Sequence, residues 1–206
     1  MVMGGKREID FAFVALCLVS LLLLPHGSLA SRAAEAPAPT SARSLILWRH
    51  AEAELARNGA ADAARELTRR GERQARRAAS WLRRRAGVGA DARVIASPTA
   101  RTQGTASALS VAYSTSDALA TATDALALLS EAGWLPANGT ERRGVTVVVG
   151  HAPTLGRAAA LLLTGIETDL FDLRKGGLIW LEQRAPAGFA GGIITLRAML
   201  DPEDIK

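Results

Sequence analysis

Two short apolar runs, far apart along the chain, each end in a histidine. The first run covers residues 45–48 and is followed by Arg49 and His50. The second covers residues 145–149 and reaches His151 after one glycine. Continuous apolar runs of this length are typical of strands that are buried on both faces of a parallel sheet. Because the carboxyl ends of parallel strands meet at one edge of a sheet, we expect the two histidines to lie close together.

A third apolar run, residues 94–96, ends in a Ser-Pro turn that leads to Arg101. Arginine presents a planar fork of donors that matches phosphate oxygens, and a neutral imidazole can attack phosphorus as a nucleophile. Neighbouring cations lower the pKa of a histidine and so keep its ring unprotonated. The sequence therefore predicts that both histidines and both arginines converge on a phosphoryl group, with His50 ready to attack it.

Composition narrows the alternatives. The chain of 206 residues has a net charge of +5, which suits an anionic substrate, a nucleic acid or a membrane surface. Aromatic residues make up 4% of the chain and do not alternate with basic ones, which argues against a platform for single-stranded nucleic acid. Cys17 is the only cysteine, and two histidines without a carboxylate or thiol cluster fall short of a zinc site. We therefore expect no disulfide and no metal site in the folded part.

Residues 1–30 have the layout of a secretory signal peptide. Lys6 and Arg7 precede an apolar run over residues 11–24, and Ala30 lies at the predicted cleavage position. The run is too short for a comfortable membrane span. Three interpretations stay open: a cleaved signal peptide, an uncleaved membrane anchor, or a start codon assigned too far upstream. The first two predict an exported or membrane-attached protein, and the third predicts a cytoplasmic one.

Residues 31–43 are rich in Ala, Pro and Ser and predict a flexible linker before a folded domain over residues 44–206. In that domain, apolar strands alternate with segments of helical periodicity, which predicts a three-layer α/β/α fold around a mostly parallel sheet. The predicted strands are residues 45–48, 94–96, 111–114 at an edge, 145–149, and 178–182 paired with 193–200 near the other edge. The predicted helices are residues 69–85 with Thr68 as N-cap and Gly87 past the end, 99–109, 124–132 between Thr123 and Gly133, and 154–163 ending at Gly165.

The predicted helix over residues 69–85 is strongly basic. Its apolar face consists of Ala75, Ala78, Ala79 and Leu82, and arginines cover much of the rest. Such a charge run is most often a solvated face. A docking surface for an acidic partner is the sharper alternative, and nucleic-acid binding is a third that no known binding motif supports. The arginines are Arg69, Arg70, Arg73, Arg76, Arg77, Arg83, Arg84 and Arg85.

The three strand ends carry a resemblance to a known family. The triplet Arg-His-Ala at residues 49–51 is similar to the Arg-His-Gly signature of the histidine phosphatase superfamily, with Ala51 in the glycine position. The segment Ser-Pro-Thr-Ala-Arg at residues 97–101 resembles the Ser-Pro-x-x-Arg element of that superfamily. Residues 150–156 are similar to its second histidine motif. Each motif is weak alone, but all three in this order and at these spacings are specific.

The resemblance is greatest to the SixA-type phosphohistidine phosphatases, a short branch of the superfamily. Residues 67–75 and 174–177 also look like that branch, and the resemblance covers residues 44–200. It implies a histidine phosphatase fold and a hydrolase that needs no metal or organic cofactor. It further implies that the substrate is phosphohistidine in a protein, for example in a phosphotransfer signalling domain.

The resemblance also implies a role for each site residue. His50 would be the phosphorylated nucleophile. Arg49, Arg101 and His151 would hold the phosphoryl oxygens, and His151 would also steady the transition state. Ser97 lies where the family has a pocket serine, although it could equally cap the helix that follows. For the arginines, the alternatives are that Arg101 is a surface helix residue and that Arg49 pairs with a nearby glutamate.

Many superfamily phosphatases have an acidic residue between the two histidine motifs that protonates the leaving oxygen, and none stands out here. Asp117 is closest in position. Asp124 and Glu131 are predicted to lie on a helix face, and the two glutamates near the first motif, Glu52 and Glu54, on a solvated loop. The imidazole that leaves phosphohistidine needs little help, because the P–N bond is labile and the ring accepts a proton easily. The pattern therefore favours phosphohistidine over alkyl phosphates and argues against a mutase.

Two other functions stay open. If the protein is exported, hydrolysis of small phosphomonoesters becomes the better prediction, because a phosphohistidine signalling protein would be cytoplasmic. A non-catalytic module that binds phosphate or a phosphoprotein would keep the two arginines and His151 as an anion cradle. Such a binder has no need of a nucleophile at His50, which speaks against it.

Overall fold

The computed structural model describes residues 42–56, 61–121, 123–135, 144–184 and 192–205. The predicted signal peptide or anchor, and all but the last two residues of the predicted linker, lie outside the described residues. Those assignments, and the domain boundary drawn from them, stay predictions. No helix in the described ranges is long and apolar enough to cross a membrane.

The described residues form an α/β domain, as the alternation of strands and helices predicts. Two short 3₁₀ turns, Asp62–Ala64 and Asp117–Leu119, lie between the main elements. The strands are β1 (Arg43–Arg49), β2 (Arg93–Ala96), β3 (Ser114–Thr115), β4 (Gly144–Gly150), β5 (Leu178–Arg184) and β6 (Ile193–Leu200). The helices are α1 (Arg69–Arg85), α2 (Ala100–Ser107), α3 (Ala125–Glu131) and α4 (Thr154–Thr164).

One six-stranded sheet has the order β3-β2-β4-β1-β5-β6. The pairs from β3 to β1 are parallel, and β5 and β6 add antiparallel pairs at the far edge, so the prediction of a mostly parallel sheet is confirmed. Arg49 lies opposite Gly150 in the β1–β4 ladder, and Ala96 lies opposite Val149 in the β2–β4 ladder. The carboxyl ends of β1, β4 and β2 therefore lie side by side at one edge.

Side chains of the central strands alternate between two apolar cores. In β1, Ile46 and Trp48 face the layer of α1 and α2, whereas Leu45 and Leu47 face the layer of α3 and α4. All four side chains are fully buried, and each contributes about 1.5–3 kcal/mol relative to an exposed position. Burial on both faces explains why the sequence of this strand is apolar without alternation.

Helix α1 begins and ends where the sequence predicts. The Thr68 hydroxyl accepts a hydrogen bond from the amide of Gly71 at 2.9 Å, which satisfies one of the free N–H groups of the first turn. Gly87, just past the end, has a φ of +65°, a left-handed conformation that a glycine adopts without a Cβ penalty. The apolar face packs on the sheet through small alanines, so the helix lies close to the strands.

The predicted edge strand is displaced. The sequence places it at residues 111–114, but only Ser114 and Thr115 pair with β2. Val111 and Tyr113 pack against the apolar core instead of joining the ladder. The preceding helix α2 also ends two residues earlier than predicted, and Ser110 turns the chain with a φ of +56°.

The predicted cap of α3 is also wrong. Thr123 does not cap the helix, because its hydroxyl donates to the carbonyl of Ala118 at 2.7 Å. Asp124 is the N-cap, and its carboxylate accepts from the amide of Ala127 at 2.7 Å. A carboxylate is the better acceptor here, since the N-terminus of a helix carries partial positive charge. Gly133 closes the helix with a positive φ, as predicted.

Candidate active site

The structure brings His50 and His151 together at the carboxyl edge of β1 and β4. The amide of His50 donates to the carbonyl of Gly150 at 3.0 Å, which ties the two strand ends directly. The two imidazole rings meet edge to face, with centroids 5.3 Å apart and planes at 61°. Both side chains are buried, with 6% and 7% of their surface exposed. Their position follows from the parallel register of two strands that end at the same level.

The ring of His50 is held in one tautomer. Its Nδ1 lies 2.8 Å from the carbonyl oxygen of Ala51. Because a carbonyl oxygen only accepts, Nδ1 carries the proton and the neutral ring keeps a lone pair on Nε2. The pKa of His50 is lowered to about 3, chiefly by burial and also by the charges of His151, Arg101 and Arg49, while the bond to Ala51 opposes the shift. At neutral pH this side chain is therefore uncharged and has a lone pair on Nε2 that can act as a nucleophile.

His151 is likewise neutral. Its pKa is lowered to about 4, chiefly by burial and also by the guanidinium groups of Arg101 and Arg49, although Asp62 opposes the shift. Its Nε2 lies 2.9 Å from the hydroxyl oxygen of Ser97. A neutral imidazole in this place can present a ring N–H to an oxyanion without a full charge of its own.

Ser97 is fully buried directly after β2, and its amide donates to the carbonyl of Val149 at 3.0 Å. The interpretation of this serine as a helix cap is wrong, since Thr99 occupies the N-cap position of α2. The Ser97 hydroxyl instead contacts the ring of His151. Its position beside the histidine pair is compatible with the pocket role that the family resemblance implies.

Arg49 is half-buried at the end of β1. One terminal nitrogen donates to the carbonyl of Leu173 at 2.5 Å, so this arginine is held by backbone rather than by a glutamate. Burial lowers the pKa of Arg49, and the nearby carboxylate of Asp172 opposes that shift. The alternative that Arg49 pairs with a nearby glutamate does not hold, because none of the ion pairs among the described residues involves Arg49, and Glu52 pairs instead with Arg70 at 3.4 Å.

Arg101, in the first turn of α2, is not a surface residue. Only 3% of it is exposed. Its two terminal nitrogens donate to Asp62, one to the backbone carbonyl at 2.8 Å and the other to the carboxylate at 3.0 Å. The guanidinium plane is therefore held at its outer edge. Sequence reasoning missed this contact, because no local pattern connects residues so far apart.

Asp62 has an exposed carboxylate and also pairs with Arg65 at 2.8 Å. Partial desolvation raises the pKa of Asp62, but the guanidinium groups of Arg101 and Arg65 lower it by more, so the net shift is downward. The carboxylate is accordingly ionised at neutral pH. It orients Arg101 and cannot act there as a proton donor.

Each site arginine has a buried nitrogen without a hydrogen-bond partner among the described residues. Within the part of the chain that the structure describes, the side-chain nitrogens that are buried without a hydrogen-bond partner are Nε of Arg49 and Nε of Arg101. Leaving a buried charged donor without an acceptor costs about 1–3 kcal/mol or more. A phosphoryl group offers three acceptor oxygens, and guanidinium donors match their geometry. The arrangement therefore suits a bound oxyanion.

The backbone around His50 is held from the other side by the loop that precedes β5. The carbonyl of His50 accepts from the amide of Gly176 at 2.9 Å, and the amide of Arg49 donates to the carbonyl of Gly177 at 3.0 Å. The indole nitrogen of Trp48 donates to the carbonyl of Gly176 at 3.2 Å. Sequence comparison with the SixA pattern singles out residues 174–177, but only the structure gives them this positioning role.

The candidate acids lie apart from these contacts. Asp124 caps α3, and Glu131 pairs with Arg93 at 3.4 Å. Glu52 accepts from the hydroxyl of Thr68 at 2.8 Å, and Asp117 is exposed in the 3₁₀ turn after β3. None of these carboxylates hydrogen-bonds a site histidine or arginine in the described structure. No group of three or more His, Cys, Asp or Glu side chains among the described residues is placed to hold a metal ion.

Comparison with known proteins agrees with this geometry. The sequence profile of the histidine phosphatase superfamily (branch 1) matches residues 45–127, which include both the first histidine motif and Arg101. A search of curated proteins finds no match.

Three solved structures illustrate the structural similarity. A SixA protein from Nakamurella multipartitia, described as a phosphohistidine phosphatase, is 29% identical, with a TM-score of 0.61, over 81% of this chain and 99% of its own. A SixA protein from Agrobacterium tumefaciens is 24% identical, with a TM-score of 0.59, over 80% and 99%. The protein histidine phosphatase SixA complexed with tungstate is 22% identical, with a TM-score of 0.62, over 79% and 99%.

The family match covers the first histidine motif, and the structural similarity extends over nearly the full length of the neighbours. The sheet order and the position of the histidine pair are those described above. The chain therefore has the histidine phosphatase fold, is similar in sequence to the histidine phosphatase superfamily over residues 45–127, and resembles SixA-type proteins in structure.

Proposed function

We propose that this protein is a phosphatase that hydrolyses phosphohistidine in proteins through a phosphoryl intermediate on His50. One observation carries the proposal. A neutral histidine with its lone pair on Nε2 lies among two arginines and a second histidine at one sheet edge. The solved structures described as SixA phosphohistidine phosphatases support the same substrate class.

In the first step, Nε2 of His50 attacks phosphorus in line with the P–N bond of the substrate. The new P–Nε2 bond forms as the substrate bond breaks, and the electron pair returns to the leaving imidazole. That ring leaves neutral when its other nitrogen carries a proton from water. The guanidinium groups of Arg49 and Arg101 hold the phosphoryl oxygens and stabilise their charge, with the ring N–H of His151 as a further donor.

In the second step, water attacks the phosphorus of phosphorylated His50. The P–Nε2 bond breaks and its electron pair returns to Nε2, while the proton of water passes to solvent or to the phosphate. One water is consumed, and histidine and inorganic phosphate are the products. The bond from Nδ1 of His50 to the carbonyl of Ala51 keeps the ring in the same orientation through both steps.

The leaving group decides between substrate classes. An alkoxide needs a positioned acid, whereas the imidazole of phosphohistidine does not. The carboxylate of Asp62 accepts a hydrogen bond from Arg101, and the guanidinium groups of Arg101 and Arg65 lower its pKa. It is therefore ionised at neutral pH and cannot supply a proton. This electrostatic state favours phosphohistidine over alkyl phosphates.

The test measures phosphate release by the full-length protein from a phosphohistidine protein and from simple alkyl and aryl phosphates. His50→Ala is the control, and circular dichroism verifies that it folds. Release from phosphohistidine alone, lost in the variant, supports the proposal. Fast turnover of alkyl phosphates favours a broad phosphomonoesterase, and binding without release favours a non-catalytic module.

A further inference from the structure

Helix α1 concentrates the positive charge of the protein. It contains eight arginines and one glutamate, a net charge of +7. The whole chain carries 25 basic against 20 acidic side chains, a net of +5, so the residues outside α1 sum to −2. An excess of this size on one helix creates a strong local potential on a protein that is otherwise slightly acidic.

The exposed side of α1 is not flat. A shallow depression of about 440 Å³ is lined almost entirely by arginine. Arg70 and Arg76 in its wall already pair with glutamates. Arg73 and Arg77 are exposed and have no pairing partner among the described residues. The full lining is Arg70, Arg73, Gln74, Arg76 and Arg77, which we call the arginine face.

The start of α1, which carries Arg70 of the arginine face, lies against the segment that follows His50. The start of α1 packs directly on Glu52, two residues after His50, so closely that a Cβ on Gly71 would lie 1.9 Å from the Glu52 carbonyl oxygen. The amide of Glu52 donates to the side chain of Gln74 at 3.1 Å. The arginine face runs from residue 70 to residue 77, about 11 Å along the helix, and further arginines continue to the end of α1 about 25 Å from its start. The charged surface therefore extends beyond the reach of a small phosphate ester.

We propose that the arginine face, centred on Arg73 and Arg77, docks an acidic surface of the phosphohistidine protein during catalysis. The inference rests on the proposed function and adds the chemistry of the partner to it. Exposed charges attract an acidic partner over several ångströms and are screened by salt, so they act on encounter and on KM rather than on the chemical step. Arginine forks also match carboxylates in bidentate geometry.

A protein partner fits this surface better than a lipid bilayer. Helices that bind membranes bury an apolar face in the lipid, whereas the apolar face of α1 is already buried in the core. Trp81 is half-buried and packs edge to face on Trp180, with ring centroids 6.2 Å apart, so it is not available for insertion. The fully exposed residues of the helix are its arginines and Glu72, with no apolar side chain among them.

The experiment uses the full-length protein and two phosphohistidine peptides of equal length. One peptide has Asp and Glu around the phosphohistidine, and the other has Asn and Gln in their place. Wild type is compared with R73E/R77E, which reverses both charges, and with R73K/R77K, which keeps them. Free phosphohistidine measures the chemical step without docking. Anisotropy of a labelled, unphosphorylated acidic peptide measures docking without chemistry.

We expect wild type to show a KM for the acidic peptide about tenfold below that for the neutral peptide, with equal kcat. R73E/R77E should lose this preference, R73K/R77K should keep it, and free phosphohistidine should be hydrolysed equally by all three proteins. Peptide binding that survives while no phosphohistidine is hydrolysed would support docking and reject the proposed function. Equal KM values for both peptides in wild type, or an unchanged preference in R73E/R77E, would overturn the proposal. If phosphatidylserine vesicles bind wild type but not R73E/R77E, and the acidic peptide binds neither protein, the proposal is overturned in favour of a lipid.

Discussion

The protein has two cationic regions that use the same side chain in opposite ways. At the site, Arg101 is 3% exposed, and Asp62 holds both of its terminal nitrogens. On the arginine face, Arg73 and Arg77 are exposed and have no partner among the described residues. Burial removes solvent screening and rotamer freedom, so a buried arginine addresses one oxyanion in one geometry. An exposed arginine attracts an anion without fixing its orientation, and salt weakens this attraction.

The largest effect should come from removing the nucleophile. His50→Ala should lower kcat on phosphohistidine by roughly 10⁴-fold or more, because no other group can form the covalent intermediate. Acid-quenched labelling with radioactive substrate should likewise find no phosphoprotein in the variant. More than a tenth of the wild-type turnover in a correctly folded variant would show that the reaction does not pass through His50.

The second largest effect should come from replacing the buried Arg101. Arg101→Lys should lower kcat/KM for free phosphohistidine by about 10²–10³-fold, because an ammonium cannot donate from the Nε position while two other nitrogens hold Asp62. Steady-state kinetics at low and high salt provide the measurement. Since the lost contact is buried, the deficit should be the same at both salt concentrations. A deficit that vanishes in salt would place Arg101 with the exposed cations.

The packing that joins the two regions is open to a steric test. Gly71→Ala should destabilise the protein by about 2–4 kcal/mol, because the new Cβ would overlap the carbonyl of Glu52. Gly89→Ala is the matched control, since its Cβ would have its nearest neighbour at 4.0 Å, and stability should change by less than about 0.5 kcal/mol. Urea unfolding of both variants measures the difference. Equal urea midpoints for the two variants would show that α1 is not tightly packed on the segment that follows His50.

The depressed histidine pKa values predict a stability change with pH. His50 and His151 have folded-state pKa values of about 3 and 4, below the usual value of 6.5. Between the folded-state pKa values and 6.5, the unfolded chain binds more protons than the folded protein. The free energy of unfolding therefore falls as the pH drops below about 6.5. From pH 7 to pH 5.5 the two histidines together should cost about 2 kcal/mol. Thermal unfolding of wild type and of His50→Gln/His151→Gln measures this, and a wild-type slope that survives in the double variant would contradict the assignment.

The smallest expected effect is a difference in salt dependence between the candidate site and the arginine face. Raising the ionic strength from about 0.05 M to about 0.5 M should change kcat/KM for free phosphohistidine less than about twofold, because Arg101 is buried and Arg49 half-buried, which limits screening by salt. For the acidic peptide it should lower kcat/KM about tenfold, because the arginine face is exposed. Parallel initial-rate measurements test this. Equal salt dependence for the two substrates would remove the distinction between the regions.

The sequence predicts the strands and the site most reliably where the signal is local. The apolar runs before His50 and His151 predict buried parallel strands, and their shared ends place the histidines together. Asp62 could not be predicted as the partner of Arg101, because their contact depends on how distant segments pack. The cap of α3 failed for a similar reason. Thr123 and Asp124 are both good caps, and only the tertiary bond of Thr123 to Ala118 decides between them.

The central position of β1 has a consequence for the order in which the protein can mature. β1 is synthesised first among the strands, yet its neighbours are β4 and β5, which leave the ribosome much later. A nascent chain that already contains His50, Arg101 and His151 still lacks Gly176 and Gly177, the backbone that holds the nucleophile in place. All the site side chains have then been synthesised, but the site is not yet assembled. Catalytic competence should therefore arise late and abruptly, and a chain truncated before β5 should have none.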